Sequence, residues 1–281
     1  MMKTMDAHAS DWCDLLWTQW IPLDSTGDLF KTHVPSEPGL YRVRAHLGNG
    51  LVYVGQTGRN LLERTKALAS GVYRPADNPP WNDPHTAAPL LWAHRIEDGL
   101  QFEVSATEAH LDKPTRQCLE DFLLHQHRIQ YRKSTLANHG RLHPLWTRPS
   151  NRSKGRAATK RNGPEIYPSL PVATGAESPT APDWLGLQWS AFEPYSHSTA
   201  KNEPGVYRIR GDGTLVYLGQ SKKLQARIKT HAKDPRFTHC EISYHEMQQA
   251  FDHHLLEREV DLIGSYYAHE SEPPRFQYQP K

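Results

Sequence analysis

The chain carries GLYRVR at residues 39–44 and LVYVGQT at residues 51–57, and it carries the same pair again as GVYRIR at 205–210 and LVYLGQS at 215–221. Each pair consists of two short runs rich in β-branched and aromatic residues, separated by a glycine-rich turn. Asn-Gly and Asp-Gly between such runs indicate a β-hairpin, because these turns need positive φ angles. Two copies are too few for a solenoid. The repeat therefore predicts two tandem domains of one kind.

The length of the turn decides whether the two tyrosines of a hairpin share a face of the sheet. In the second copy, a three-residue loop would place Tyr207 opposite Tyr217, whereas a two-residue loop would place them on opposite faces. The loop of the first copy is longer by two residues, which preserves the parity. Tyr41 and Tyr53 can therefore be presented in the same way as the second pair.

A helix is expected after each second strand, with Asn60 and Ser221 as N-caps. In the second copy, one face of that helix has the i, i+3, i+4, i+7 spacing of Leu224, Arg227, Ile228 and His231. Arg64 has the same place in the first copy. A cation on an apolar stripe is commonly a snorkelling side chain, but its recurrence gives a functional interpretation equal weight.

Residues 70–98 occur only in the first copy. Asp83 followed by Pro84 predicts the start of a helix that ends near Gly99. His85 would lie in the first turn of that helix, where a histidine is usually only a polar helix-start residue. A strand over 101–106 and a helix over 114–131 should follow.

Tryptophans precede both copies, at positions 12, 17 and 20 and again at 184 and 189. Stacking on DNA is one use of such residues, but core packing is the favoured interpretation. The repeat unit thus includes a tryptophan-containing lead-in.

Composition bounds the class of protein. With 281 residues, 37% hydrophobic residues and a mean hydropathy of −0.73, the chain has room for two small cores. A net charge of +2 permits nucleic-acid binding without requiring it. Three scattered cysteines give neither a disulfide framework nor a zinc cluster. The N-terminus has no long apolar run, so we expect a cytoplasmic protein without a membrane span.

We divide the chain into a first domain at 1–147, with its insert at about 70–98, a linker at 148–182 and a second domain at 183–281. The linker is basic and rich in Pro and Ser, which predicts a flexible connection. A basic tract is often only a solubilising spacer, but phosphate contact is the favoured interpretation here. The cations are Arg148, Arg152, Lys154, Arg156, Lys160 and Arg161.

The two copies resemble the GIY-YIG nuclease family. Its two name-giving motifs match Gly39-Leu40-Tyr41 with Tyr53-Val54-Gly55, and Gly205-Val206-Tyr207 with Tyr217-Leu218-Gly219. The resemblance covers roughly residues 36–142 and 202–279. It implies an α+β fold of two tandem small α/β domains, each a short antiparallel sheet flanked by helices.

The resemblance also implies a site in each copy. The helical arginine of the family matches Arg64 and Arg227, and its metal-binding glutamate matches Glu120 and Glu257. Periodicity alone would make both glutamates ordinary surface residues. The late asparagine of the family matches Asn138, where the second copy offers only Gln277. A histidine four residues after the arginine matches His231. The first copy has Leu68 there, and we expect His85 to replace it from the insert.

Hydrolysis of DNA phosphodiester bonds with one Mg²⁺ or Mn²⁺ per site follows from the resemblance. The glutamate would hold the metal, the arginine would stabilise the scissile phosphate, and the first tyrosine would act as base or relay. The chain would act as a monomeric pseudo-dimer, with restriction or phage defence as the favoured role. The alternative is a DNA-binding or structure-specific protein in which one or both sites are inactive.

Overall fold

The computed structural model describes residues 6–25, 28–83, 85–147, 158–166 and 168–279. Two compact units are present, one comprising Met1–Asp112 with Ser134–Pro168 and the other Lys113–Lys133 with Ser169–Lys281. Each contains a four-stranded antiparallel sheet. The α+β class and the two antiparallel sheets are confirmed.

The first unit has the strand order β1-β4-β2-β3. Its strands are β1 (Ile21–Pro22), β2 (Gly39–Ala45), β3 (Leu51–Thr57) and β4 (Phe102–Glu108), and its helices are α1 (Asp28–His33), α2 (Leu61–Val72) and α3 (Ala88–Asp98). Its core lies between α1, α2, α3 and the sheet, around residues such as Phe30, Val43 and Leu91.

The second unit repeats the sheet with the order β5-β8-β6-β7. Its strands are β5 (Glu193–Pro194), β6 (Gly205–Gly211), β7 (Thr214–Ser221) and β8 (Glu241–Glu246), and its helices are α4 (Lys113–Tyr131), α5 (Leu224–His231) and α6 (Asp252–Glu270). The long helices α4 and α6 pack against each other in this unit.

Helix α4 follows the first copy in sequence but groups with the second unit, so this division differs from the predicted boundary at residue 147. The reason lies on its buried face. Arg128 of α4 donates to the Asp261 carboxylate of α6 from Nε at 2.8 Å and from Nη2 at 3.1 Å. Two buried, oppositely charged groups with bidentate geometry are costly to separate. This ion pair, with the packing around it, ties α4 to α6.

The turn of the second hairpin has two residues, yet its tyrosines share a face. Asp212 and Gly213 have φ angles of 52° and 81°, as a type I′ turn requires. A bulge between Ile209 and Arg210 restores the parity, so that Tyr217 pairs with Ile209, two residues from Tyr207. The first hairpin has the corresponding bulge between Val43 and Arg44.

Of the three N-caps predicted from the sequence, only Asn60 caps a helix. The Asn60 side chain accepts the Glu63 N–H at 2.9 Å, which confirms this N-cap. Helix α5 instead begins after Lys223, because the Ser221 hydroxyl accepts the Lys223 N–H within a local turn. In the insert, Asp83 likewise accepts the N–H of His85 without starting a helix, and α3 begins later, at Ala88.

The tryptophan lead-ins enclose a buried arginine in each sheet. In the first unit, the Arg42 guanidinium lies 4.3 Å from the Trp17 ring centroid and donates to the carbonyls of Ala7 and Ala9. In the second unit, Arg208 lies 4.4 Å from the Trp189 ring centroid and donates to two carbonyls in the same way. Packing around a buried cation, rather than stacking on DNA, accounts for these tryptophans.

The part of the predicted linker that the structure describes contributes buried residues to each unit, and its flexibility stays a prediction. Ala158 is buried in the first unit and Ala173 in the second. Lys160 pairs with Glu97 of α3 at 2.8 Å, and Arg161 pairs with Glu165. These two cations are engaged with carboxylates. The remaining four predicted DNA-binding residues lie outside the described residues, namely Arg148, Arg152, Lys154 and Arg156. Within the described ranges, no helix is long and apolar enough to cross a membrane.

Candidate active site

In the first unit, the insert brings His85 onto the two tyrosines of the hairpin. The Tyr41 hydroxyl lies 2.7 Å from His85 Nε2, and the Tyr53 and His85 ring centroids are 5.9 Å apart. A Cβ at Gly55 would lie 2.6 Å from the Tyr41 hydroxyl oxygen. The glycine of this motif therefore makes room for the first tyrosine ring.

The backbone fixes the state of His85. Its Nδ1 accepts the N–H of Ala87 at 3.3 Å, so the neutral ring carries its proton on Nε2 and donates it to the Tyr41 oxygen. Burial, followed by the nearby charge of Arg64, lowers the pKa of His85 to about 3. His85 is thus a neutral hydrogen-bond donor to Tyr41. The half-buried Arg64 lies on α2 of the same unit.

The second unit builds the same arrangement with a different histidine. The Tyr207 hydroxyl lies 2.9 Å from Nε2 of His231, which lies on α5 four residues after Arg227. The Tyr207 and Tyr217 ring centroids are 6.1 Å apart, and the Tyr217 and His231 centroids are 5.3 Å apart. A loop histidine in one copy and a helix histidine in the other therefore occupy equivalent places on the first tyrosine.

A cavity of about 190 Å³ opens beside this cluster in the second unit. Tyr217, Arg227, His231 and Glu259 contribute to its lining, so that a phenol, a guanidinium, an imidazole and a carboxylate meet at one space. Burial raises the pKa of Glu259 to about 7, although a backbone hydrogen bond from Gln220 and the charge of Arg227 oppose the rise. Burial also raises the pKa values of Tyr207 and Tyr217.

The carboxylate at the cavity is Glu259 and not the predicted Glu257. Glu257 is fully buried, accepts the N–H of Leu170 at 2.6 Å and lies 3.8 Å from Arg128 Nη1. The contact with Arg128 belongs to the packing of α4 on α6, and the contact with Leu170 ties α6 to the segment before the second hairpin. The structure therefore places Glu257 away from the cluster that the sequence assigned to it.

The geometry of the helices identifies Glu259 as the counterpart of Glu120. Helices α4 and α6 both start and end 139 residues apart, and so do the residues with positive φ that follow them, Arg132 at 55° and Ser271 at 60°. The same offset takes Glu120 to Glu259. Aligning the helix ends in the sequence could have found this residue, whereas the match to the family selected the glutamate two residues earlier.

The structure gathers the first site only in part. Tyr41, Tyr53, Arg64 and His85 lie in the first unit together with Asn138. Glu120 lies on α4 and therefore in the second unit.

Asn138 and Gln277 hold the backbone of the edge strands. Asn138 accepts the N–H of Val54 at 3.0 Å and donates to the carbonyl of the same residue at 2.8 Å. Gln277 accepts the N–H of Leu218 at 3.0 Å. Val54 and Leu218 are the central residues of the two Tyr-x-Gly motifs, so the glutamine does take the place of the asparagine. Both amides position the strand that carries the second tyrosine.

Comparison with known proteins gives no match to a family model, to a curated protein or to a solved structure.

Proposed function

We propose that the protein is a metal-dependent DNA endonuclease that hydrolyses phosphodiester bonds, as its resemblance to the GIY-YIG nucleases implies. The observation that carries the proposal is the convergence of Tyr217, Arg227, His231 and Glu259 on one cavity. A guanidinium fits a phosphate through its planar fork, and an imidazole can move a proton near neutral pH. A single carboxylate is the protein ligand that a hydrated Mg²⁺ needs beside phosphate oxygens.

The residues present fit such an ion. Glu259 faces the cavity with a pKa of about 7, which means that the carboxylate is held there without a fully compensating partner. A divalent cation would favour its ionised form. Glu259 would hold Mg²⁺ or Mn²⁺ in the second copy, and Glu120 stays the predicted metal ligand of the first copy on the resemblance alone. The ion would supply positive charge to the scissile phosphate.

The other side chains at the cavity would have separate roles in the reaction. Arg227 would bind the scissile phosphate and stabilise the charge that develops on its oxygens. In the second copy, the raised pKa keeps Tyr207 a neutral phenol, so it orients His231 rather than acting as the base. His231 would take the proton of the attacking water as the oxygen–phosphorus bond forms and the bond to the leaving oxygen breaks.

In the first copy, the tyrosine and the histidine would exchange these roles. His85 donates its Nε2 proton to Tyr41, so it stabilises a phenolate on that residue. Tyr41 itself would therefore accept the proton of the water, with Arg64 as the phosphate ligand.

The test is cleavage of supercoiled plasmid with Mg²⁺ by wild type, Glu120→Gln, Glu259→Gln and the double variant. The matched control is Glu270→Gln, at the exposed end of α6. We expect wild type to linearise the plasmid, each single variant to leave nicked circles, and the double variant to be inactive. Undiminished cleavage by the double variant would refute both sites. Binding without cleavage by wild type would instead establish the alternative, a DNA-binding protein with inactive sites.

A further inference from the structure

A second group of ligating side chains lies at the end of α3, in the first unit. His94 and Asp98 are separated by one helical turn, and His143 approaches from a segment 45 residues further along the chain. One ligand atom from each of the three lies within 4.8 Å of the other two. The nuclease chemistry proposed above uses none of these residues.

The three side chains share one centre. His94 Nδ1 lies 2.8 Å from Asp98 Oδ2, and His143 Nε2 lies 3.1 Å from Asp98 Oδ1. The two imidazole centroids are 4.7 Å apart with their planes at 70°. Two imidazole nitrogens and one carboxylate form a common ligand set for Zn²⁺, which takes nitrogen and oxygen ligands at about 2.0–2.2 Å.

The surroundings hold the ligands in place while leaving a way in. Both imidazoles are buried, whereas the Asp98 side chain is 43% exposed. Glu97, on the neighbouring helical position, accepts the Trp146 Nε1–H at 3.1 Å and so fixes the segment that carries His143. Trp146 packs on Trp92 of α3, with ring centroids 5.7 Å apart. The exposed side of Asp98 would let an ion enter from solvent, and a water molecule would fill the fourth coordination position.

We infer that His94, Asp98 and His143 form a Zn²⁺ site that ties the segment around residue 143 to the end of α3. Helix α3 starts three residues after His85, so the ion would brace the insert that supplies His85 to Tyr41. This role is structural and independent of the nuclease proposal.

Binding requires a defined change at His143. In this structure its Nδ1 accepts the N–H of Leu145 at 3.1 Å, which leaves the ring proton on Nε2, directed at Asp98. The ion replaces that proton, and the proton moves to Nδ1, so the Leu145 amide loses its acceptor. One lost hydrogen bond is a small cost beside coordination by three ligands.

The experiment is titration of the full-length, chelator-treated protein with Zn²⁺ in competition with a chromophoric chelator, without Mg²⁺. We expect one tightly bound ion per chain and a loss of affinity of about 100-fold or more in His94→Gln, His143→Gln and Asp98→Asn. His110→Gln, a change at an exposed histidine, is the matched control and should bind like wild type.

A second measurement does not depend on affinity. Co²⁺ should give the visible absorption of a four-coordinate site in wild type and His110→Gln but not in Asp98→Asn, whose exposed substitution leaves the core intact. Zn²⁺ should also raise the melting temperature of wild type and not that of Asp98→Asn. Absence of stoichiometric binding, or equal affinity in wild type and the ligand variants, would overturn the inference whether or not the protein cleaves DNA.

Discussion

Replacing Glu259 by glutamine should stabilise the second unit and abolish its cleavage. Glu257→Gln should destabilise the unit and leave its cleavage unchanged. The folded pKa of Glu259 is about 7, against an ordinary value of 4.5. Because a folded acid with a raised pKa holds its proton more tightly than the unfolded chain does, stability falls as pH rises from about 4.5 to 7. At 1.36 kcal/mol per pH unit, the loss above pH 7 is about 3 kcal/mol.

Glutamine has the shape of the protonated acid and cannot ionise. The difference in the free energy of unfolding between Glu259→Gln and wild type should therefore be near zero at pH 4.5 and reach about 3 kcal/mol in favour of the variant at pH 8. For a unit of this size, the difference corresponds to a rise of roughly 10 °C in melting temperature.

Glu257→Gln is the matched control on the same helix. Glutamine can still accept the N–H of Leu170, but it removes the charge facing Arg128. Arg128 keeps its bidentate bond to Asp261, which limits the loss to about 1–3 kcal/mol. Cleavage per folded molecule should be unchanged.

Thermal and urea unfolding at pH 4.5, 6 and 8 without Mg²⁺, followed by cleavage assays with Mg²⁺, measure both effects. A Glu259→Gln protein that is less stable than wild type at pH 8 would refute the reasoning. So would a stability difference that does not shrink towards pH 4.5, because the difference would then not come from ionisation of this carboxyl group.

Two further predictions concern the remaining site residues. Removing either histidine, as His85→Ala or His231→Ala, should lower the cleavage rate of its own copy by about 10²-fold or more. An unchanged rate in the copy that carries the change would contradict a role for that histidine. Asn138→Ala and Gln277→Ala should each lower the free energy of unfolding by about 1–3 kcal/mol, because each leaves an edge-strand amide unpaired. Urea unfolding would detect this loss. An effect on cleavage without an effect on stability would show instead that these amides touch the substrate.

Local sequence patterns predicted the features that local interactions determine, namely the hairpins and one helix cap. The hairpins follow from β-branched runs and glycine turns, and the cap at Asn60 follows from its own side chain. The shared face of Tyr207 and Tyr217 was expected for a three-residue loop, but a two-residue turn and a bulge produce it instead. A bulge leaves no simple signature in the sequence, because it depends on how the strand fits its neighbours.

The structure differs from the predictions where the partner of a residue is distant in the sequence. Glu257 and Glu259 lie on one helix, and only the packing of α4 shows which of them is buried against Arg128. The linker composition indicated flexibility, but Lys160 forms an ion pair with Glu97 of α3, which is more than sixty residues away in sequence. Neither partner follows from periodicity, since periodicity shows which face of a helix is apolar and not what covers it.

The pairing of α4 with α6 bears on why the chain contains two copies. Under the offset of 139, Arg128 and Asp261 correspond to Tyr267 and Phe122, and these two rings also meet, with centroids 5.9 Å apart. His125 and Gly264 correspond to each other and are in direct contact, so that a Cβ on the glycine would collide with the His125 Cβ. Contacts that recur with the partners exchanged, around a position that faces its own counterpart, define an isologous interface. The helix pair therefore has the form of a homodimer contact within one chain, with an ion pair at one position and an aromatic contact at its counterpart. Two identical subunits could not carry that asymmetry, whereas two copies in one chain can, which supports the proposal that one chain does the work of two identical subunits.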